Sequence, residues 1–164
     1  MKMRILANGK LTLEDVKGNE IKFRHFSGEK DKYHSPGQRD FNIAVPDDIG
    51  EELIVNGWRV KAGKEKVNDD GETIKYSAMI KVKVNFDSRR PPRITRYTSN
   101  GHVEIDEDIV KDLDVDEIES AAFVLTPYIN RSSADSDGKA TAYLEVMRYK
   151  IEDDPFAGLY EDEV

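Results

Sequence analysis

The chain has no cysteine among its 164 residues, which excludes disulfides, thiol catalysis and thiolate metal sites. It also has no run of about 18 apolar residues, the length that a membrane-spanning helix needs. The first 15 residues lack the apolar segment and the small-residue cleavage site of a signal peptide. With 38% hydrophobic and 35% charged residues, the sequence predicts a very polar globular domain in the cytoplasm, with no membrane association.

Signatures of catalysis are scarce as well. There is no glycine-rich phosphate loop, and the three histidines are scattered along the chain with no serine or carboxylate pattern around them. We therefore expect a protein that is not an enzyme and that holds no metal and no cofactor. A metal-dependent nuclease is the alternative, because acids are dense enough for a two-metal centre at Asp106, Glu107, Asp108, Asp112, Asp114, Asp116, Glu117 and Glu119.

Charge is distributed unevenly. The net charge of −8 conceals +5 over residues 1–100, −7 over residues 101–150 and −6 over the last fourteen residues. Such a division is typical of a basic surface for an anionic partner together with a separate acidic tail. The same division is also compatible with a charged surface that serves only solubility.

The longest structural signal lies at residues 74–86, where apolar and polar residues alternate. A period of two predicts a strand with one face in a core, and the inward set is Ile74, Tyr76, Ala78, Ile80, Val82, Val84 and Phe86. Further strands are expected over residues 10–16, 20–26, 39–45, 58–62, 93–98, 102–105, 121–129 and 140–149. Short helices are expected over residues 47–56 and 105–113. These elements predict a mostly β fold, a small barrel or sandwich with two short helices.

A basic, aromatic surface is the strongest functional signal. Single-stranded nucleic acid is bound by cations that contact phosphates and by aromatic rings that stack on bases. We expect phosphate contacts from Arg39, Arg59, Lys61, Lys75, Lys81, Lys83, Arg89, Arg90, Arg93 and Arg96. Among the aromatic residues, Tyr33 and Tyr97 have polar neighbours and are expected to stack on bases, and Phe26 is a further possible ring. Tyr76 and Trp58 alternate with apolar residues and are expected in the core.

The end of the chain reads IEDDPFAGLYEDEV. Its composition cannot form a core, so residues 151–164 are expected to be a disordered acidic tail beyond a domain of residues 1–150. An acidic segment with a few apolar anchors can bind a partner protein, or it can compete with nucleic acid for the basic surface. A tail that only aids solubility is the third interpretation. The predicted partner-binding residues are Asp153, Asp154, Pro155 and Phe156.

Five segments together resemble a family of bacteriophage single-stranded DNA-binding proteins: RDFNIAVPDD at 39–48, NGWRVK at 56–61, IKVKVNFDSRRPPRI at 80–94, LTPYIN at 125–130 and GKATAYLEVMRYKIEDDPF at 138–156. The resemblance implies an OB-like β-barrel that coats single-stranded DNA, largely independently of sequence, during phage replication or recombination. The acidic tail is expected to recruit replication or recombination proteins, and the chain is a candidate for homo-oligomerisation. The DDPF segment resembles the acidic tip of bacterial single-stranded DNA-binding proteins, although eight residues follow it here. A phage structural or protein-interaction module without DNA binding remains the main alternative.

Overall fold

A computed structural model describes residues 1–132, 134 and 136–152. Strands dominate this part of the chain, which confirms the mostly β class. The strands are β1 (Lys2–Ile5), β2 (Leu11–Lys17), β3 (Ile21–His25), β4 (Arg39–Val45), β5 (Val60–Lys61), β6 (Lys64–Val67), β7 (Thr73–Tyr76), β8 (Ala78–Val84), β9 (Arg93–Thr98), β10 (Gly101–Ile105), β11 (Ile118–Tyr128) and β12 (Thr141–Ile151). One α-helix, α1, spans Asp47–Val55, and 3₁₀ turns span Gly18–Glu20 and Val110–Asp114. No helix in the described ranges is long and apolar enough to cross a membrane.

Ten strands form one sheet whose main path runs β1-β2-β11-β12-β8-β4-β3. Strand β12 occupies its centre: it pairs with β11 antiparallel on one side, and with β8 and then β9 parallel on the other. Strands β6 and β7 form a separate hairpin. The main path ends at β1 and β3, which do not pair with each other. The described sheet is therefore not closed into the expected barrel.

The predicted helix at 47–56 is present as α1, but the second expected helix is replaced by turns. Ile105 and Leu113 are buried, as their spacing predicts. The carboxylate of Asp106, however, accepts hydrogen bonds from the backbone N–H groups of Asp108 and Ile109. Such local side-chain bonds compete with α-helical hydrogen bonding, and only the 3₁₀ turn Val110–Asp114 follows.

Strand β8 forms the middle of the core, and its alternation is as predicted. Its side chains Ala78, Ile80, Val82 and Val84 are buried, and Lys81 and Lys83 between them are exposed. The expected continuous strand over 74–86 is interrupted at Ser77. Upstream of that break β7 pairs only with β6, so Tyr76 is 40% exposed. The prediction of a core position for Tyr76 is wrong for that reason.

A second correction concerns the aromatic residues of β3. Alternation over the strand predicted at 20–26 places Phe23 on the same face as the buried Ile21, but Phe23 is 69% exposed and has a φ of 53°. The pairing of β3 with β4 shifts register between Lys22 and His25, and this irregularity turns Phe23 outward. Phe26 is fully buried against Phe41, with ring centroids 4.9 Å apart. It therefore has no exposed face for stacking, whereas Trp58 is buried as expected.

Candidate nucleic-acid interface

The strand register places basic and aromatic side chains on one face of the sheet, opposite the core. Lys83 of β8 lies opposite Asp40 on β4 and opposite Tyr143 on β12, and Tyr143 lies opposite Thr126 on β11. Directly opposed residues share a face of a sheet, and the neighbouring residue Val82 is buried. We call the face that carries Lys83 and Tyr143 the outer face.

The outer face continues along β12 onto β9. Arg93 lies opposite Val146 and Tyr97 lies opposite Lys150, whereas Arg96 lies opposite the buried Tyr149. Because side chains alternate along a strand, Arg93 and Tyr97 are on the outer face and Arg96 is on the core side. Both arginines were predicted to contact phosphates together, and the structure places them on opposite faces of the sheet.

Five of the ten predicted phosphate ligands have carboxylate partners within the protein. The nitrogen–oxygen distances are 3.4 Å for Arg39–Glu107, 2.6 Å for Arg59–Asp137, 3.1 Å for Lys75–Asp47, 3.6 Å for Lys81–Asp40, and 3.5 Å for Arg96 to both Asp112 and Asp116. A carboxylate partner competes with a phosphate for the same cation. These five cations are therefore weaker candidates for DNA contact than their number suggests.

Arg39 and Arg96 are engaged most fully. The Arg39 side chain is 12% exposed, donates to the Phe26 carbonyl at 2.9 Å, and lies over the Phe86 ring at 5.4 Å. Arg96 lies beside Tyr149, whose hydroxyl donates to Asp116 at 2.9 Å. Burial and that hydrogen bond raise the pKa of Tyr149. Both arginines are partly buried and engaged in contacts within the protein.

The other five predicted cations are not paired in this way. Within residues 1–132, 134 and 136–152, no carboxylate oxygen lies within 4 Å of the side-chain nitrogens of Lys61, Lys83, Arg89, Arg90 or Arg93. Lys61 lies opposite Met79 of β8, and so shares the outer face with Lys83. Arg89 and Arg90 lie in the exposed loop between β8 and β9. These cations are accessible to an anionic ligand.

An open cleft of about 410 Å³ borders this group, and the sequence analysis missed it. Tyr128 is 55% exposed and meets the Tyr143 ring edge-on, with centroids 5.9 Å apart. We call it the tyrosine cleft; its lining is Lys10, Asn85, Ser88, Arg90, Thr126, Pro127, Tyr128, Tyr143, Leu144 and Glu145. The available signal was the alternation in the predicted strands 121–129 and 140–149, which places both tyrosines outward.

One pair of charges inside the cleft is neutralised. Lys10 donates to Glu145 at 2.8 Å, and Thr126 donates to the same carboxylate at 2.8 Å. The hydrogen bond from Lys10 lowers the pKa of Glu145. Arg90 is therefore the cation of the cleft that has no carboxylate within 4 Å in the described part of the chain.

The two predicted stacking tyrosines lie at the borders of the outer face. Tyr33 is 79% exposed in the loop before β4, with the Lys32 ammonium 5.6 Å from its ring centroid. Tyr97 is 38% exposed and tilts against His102 at 5.7 Å. Arg148 and Lys150, which the sequence analysis did not select, lie beside Tyr97 around a shallow pocket.

The acids proposed for a nuclease centre are dispersed among structural contacts. Asp114 accepts the N–H groups of Phe26 and Ser27, and Asp116 accepts the Tyr149 hydroxyl. Among the described residues, no three of the eight acids bring carboxylates together in a group that could hold a metal ion. The dense acidic sequence therefore does not form the two-metal arrangement that a nuclease would need.

The proposed partner-binding residues of the tail, Asp153, Asp154, Pro155 and Phe156, lie outside the described residues. Ile151 ends β12, and the backbone N–H of Glu152 donates to the Glu117 carbonyl at 2.9 Å. Ile151 and Glu152 therefore pack with the domain rather than with the predicted tail.

Comparison with known proteins identifies relatives. The model of the family described as putative phage single-stranded DNA-binding domain matches residues 3–162. The single-stranded DNA-binding protein of bacteriophage Enc34, solved in complex with single-stranded DNA, superposes with a TM-score of 0.52 at 12% identity, covering 94% of this chain and 93% of that one. Another structure of the Enc34 protein gives a TM-score of 0.51 at 13% identity, covering 94% and 88%. No curated protein sequence matches. The chain therefore belongs to the family of phage single-stranded DNA-binding domains.

Proposed function

We propose that this phage protein binds single-stranded DNA along the outer face, from Lys61 and Lys83 past the tyrosine cleft to Arg93 and Tyr97. The observation that carries the proposal is the shared face: cations without carboxylate partners and exposed tyrosine rings lie on the same side of the sheet. Cations that follow the backbone and rings that stack on bases are the two elements of single-strand recognition. The Enc34 relative, which is similar in fold, was solved with single-stranded DNA.

The chemistry favours binding that is largely independent of sequence. Phosphate contacts read no bases, and every base has a π-face that can stack on a tyrosine ring. A protein of this kind coats the single strands that arise during phage replication or recombination in the host cytoplasm. In this proposal the sheet is a variant of the OB-like architecture, in which one strand face holds the nucleic acid.

The predicted phosphate ligands fall into two groups, those paired with a carboxylate of the protein and those that are not. A phosphate must displace Asp137 from Arg59 or Asp47 from Lys75 before it can bind those cations, whereas Lys83, Arg90 and Arg93 are available directly. Counterion release by such cations makes the affinity fall linearly with the logarithm of salt concentration. We therefore expect the salt dependence of DNA affinity to come mainly from Lys83, Arg90 and Arg93.

Titration of fluorescein-labelled oligothymidine across a salt series tests the function. Anisotropy of the label is the better signal, because the single tryptophan, Trp58, is only 3% exposed. We expect binding at low salt that weakens steadily as salt is added. The absence of binding at low salt, or an affinity that does not depend on salt, would contradict the proposal. If a protein partner co-purifies in that case, the interaction-module alternative is favoured.

Variants of the tyrosine cleft test its location. Replacing Tyr128 or Tyr143 by alanine is expected to weaken the free energy of DNA binding by about 1–3 kcal/mol per stacked base. Phenylalanine at either position is expected to restore the binding. Tyr76→Ala is the matched control, because Tyr76 is similarly exposed but lies on the separate β6–β7 hairpin. Equal losses in all three alanine variants would show that the cleft is not the stacking site.

The acidic tail has two roles in this proposal. It recruits replication or recombination proteins, and it occupies the outer face when no DNA is bound. The charge of −6 over residues 151–164 and their attachment at the end of β12 support both roles. Strand β12 carries Arg148 and Lys150 on the outer face, and Lys150 already contacts Glu119 at 3.4 Å. Self-association is a further possibility that size-exclusion chromatography with light scattering measures directly.

A further inference from the structure

Two of the three histidines, which the sequence analysis regarded as scattered, meet next to the outer face. The rings of His25 and His34 are stacked, with centroids 3.7 Å apart and planes 12° from parallel. The Asp31 carboxylate faces both rings: its oxygens lie 2.9 Å from Nδ1 of His34 and 3.4 Å from Nδ1 of His25. Both Nδ1 atoms therefore face a single carboxylate.

The other nitrogen of each ring faces an acceptor. Nε2 of His25 lies 2.8 Å from the Glu29 carbonyl oxygen, and Nε2 of His34 lies 3.0 Å from Oδ1 of Asp40. Carbonyl and carboxylate oxygens can only accept, so Nε2 of each ring donates to its neighbour in the tautomer that carries the proton there, and Nδ1 of His34 can donate to Asp31 only when a proton lies on it. In the Nε2–H tautomer each neutral imidazole has a lone pair on Nδ1. Histidines that bind metals typically donate their second nitrogen to such an acceptor, which fixes the tautomer.

This arrangement leaves an excess of negative charge without a cation between the ligands. Two Nδ1 lone pairs and the Asp31 carboxylate face one another, and they repel unless a proton or a metal ion lies between them. Behind His34, the Asp40 side chain is 4% exposed and its Oδ2 accepts no hydrogen bond in the described part of the chain. The nearest described cation to that oxygen is the Lys81 ammonium, at 3.6 Å.

We propose that His25, Asp31 and His34 bind a divalent transition-metal ion of the Zn²⁺ class, with Asp40 as the outer partner of His34. The Asp31 carboxylate lies 2.9 Å from Nδ1 of His34 and 3.4 Å from Nδ1 of His25, and two metal–ligand bonds of about 2.0–2.2 Å can span either separation. Imidazole and carboxylate together suit Zn²⁺ and its neighbours in the first transition row. The two rings, stacked with centroids 3.7 Å apart, must tilt so that both Nδ1 atoms point at one ion.

Such an ion would fix the loop that carries Tyr33. His25 ends β3, and Asp31 and His34 lie on either side of Tyr33, whose N–H donates to Asp31 at 2.7 Å. The ion would tie this loop to the sheet and hold the exposed ring next to the outer face. The effect on DNA rests on the proposed function, whereas binding of the ion does not depend on it.

Metal titration of the full chain without DNA tests the site. Zn²⁺ in competition with a chromophoric chelator, and Co²⁺ followed by its visible absorption, are added at pH 8. We expect one equivalent to bind, with no thiolate contribution because the chain has no cysteine. His25→Gln and His34→Gln are expected to abolish binding, and Asp40→Asn to weaken it by about 10–100-fold. His102→Gln is the matched control and is expected to bind like the parent.

Three results would overturn the site. The parent protein could bind no ion at pH 8, the ion could bind equally well to His25→Gln and His34→Gln, or His102→Gln could abolish binding. Asp31→Asn, in an exposed loop, replaces any histidine variant that fails to fold. The competing occupant is a proton, because the hydrogen bond to Asp40 raises the pKa of His34. A His34 imidazole resonance that does not respond to Zn²⁺ would refute the metal.

The link to DNA is measured separately. Oligothymidine affinity is compared with one equivalent of Zn²⁺ and with EDTA, in the parent and in Tyr33→Ala. Tighter binding with Zn²⁺ in the parent alone supports the positioning of Tyr33. Equal affinity in a parent that binds the ion would refute that role and leave the metal site intact. If neither the parent protein nor Tyr33→Ala binds oligothymidine, the proposed function is refuted.

Discussion

Replacing Lys83 and Arg90 together by glutamine tests the DNA track most directly. Both residues flank Tyr143, one through the pairing of β8 with β12 and the other through the lining of the tyrosine cleft. For a single strand, each neutralised phosphate contributes about 0.7 to the slope of log K against log salt. Loss of two contacts should therefore make that slope shallower by about 1.4. If the parent and the double variant bind DNA equally at 1 M salt, the variant should bind about 25-fold more weakly than the parent at 0.1 M, a difference of about 2 kcal/mol.

The matched control removes the same charge from paired cations. In Arg59→Gln with Lys75→Gln, the arginine leaves Asp137, which it contacts at 2.6 and 2.7 Å, and the lysine leaves Asp47 at 3.1 Å. We expect this variant to change the salt slope by less than half as much. Anisotropy titrations at four or more salt concentrations measure both slopes.

Two outcomes would refute the reasoning. If the salt slope becomes equally shallow in both double variants, the cations act through net charge alone. Carboxylate pairing then does not distinguish the cations that contact DNA. If Lys83→Gln with Arg90→Gln keeps the parental slope, DNA does not follow the outer face. Thermal unfolding of each variant excludes loss of structure as the cause.

Three further predictions concern the tail and two internal hydrogen bonds. Deleting residues 153–164, which leaves β12 and the Glu152–Glu117 bond intact, should tighten DNA binding, most strongly at low salt; equal affinities would contradict autoinhibition. The Arg59 hydrogen bond lowers the pKa of Asp137 to about 2, so the pair should stabilise the fold fully above the ordinary aspartate pKa and lose that effect as pH falls through about 2. NMR titration should give that midpoint, and Arg59→Gln should raise it. Tyr149→Phe removes the bond to Asp116 and should lower the free energy of unfolding in urea by about 1.5–3 kcal/mol; an unchanged midpoint would show that the bond is not stabilising.

Local periodicity predicted the strands that lie wholly within the sheet. The strand at residues 39–45 is observed with the predicted ends, and the alternation over β8 assigns each buried residue correctly. Both segments keep one face in the core along their whole length, and this is the condition under which a period of two is informative.

Periodicity could not show where a strand leaves the sheet. Ile74 and Tyr76 continue the alternation of β8, but Ser77 separates them from it and they face solvent on a hairpin. The alternation of side chains is a property of extended backbone, whereas burial depends on which strand lies alongside. The turn of Phe23 away from the core has the same origin, since its register shift arises in the pairing with β4.

The sequence alone suggested which types of residue form the candidate interface. It could not show which of its cations are already paired with carboxylates of the protein. Lysine and arginine in β8 and the following loop indicated an anionic ligand from their types alone. Whether a cation is already paired depends on residues far away in sequence: Asp137 lies 78 positions from Arg59. The tyrosine cleft likewise requires β11 and β12 to be aligned, and the His25–His34 stack requires the loop between them to fold back.

The place where β12 ends sets the effective concentration of the acidic tail at the outer face. Residues 153–164 are attached one residue beyond Ile151, on the strand that also carries Tyr143 and Lys150. Twelve extended residues reach about 40 Å, whereas Tyr143 lies about 26 Å back along the strand at about 3.3 Å per residue. A ligand on so short a tether acts at millimolar effective concentration. Its occupancy of the outer face would therefore be independent of protein concentration, and DNA, salt or a partner protein that binds the tail would relieve it.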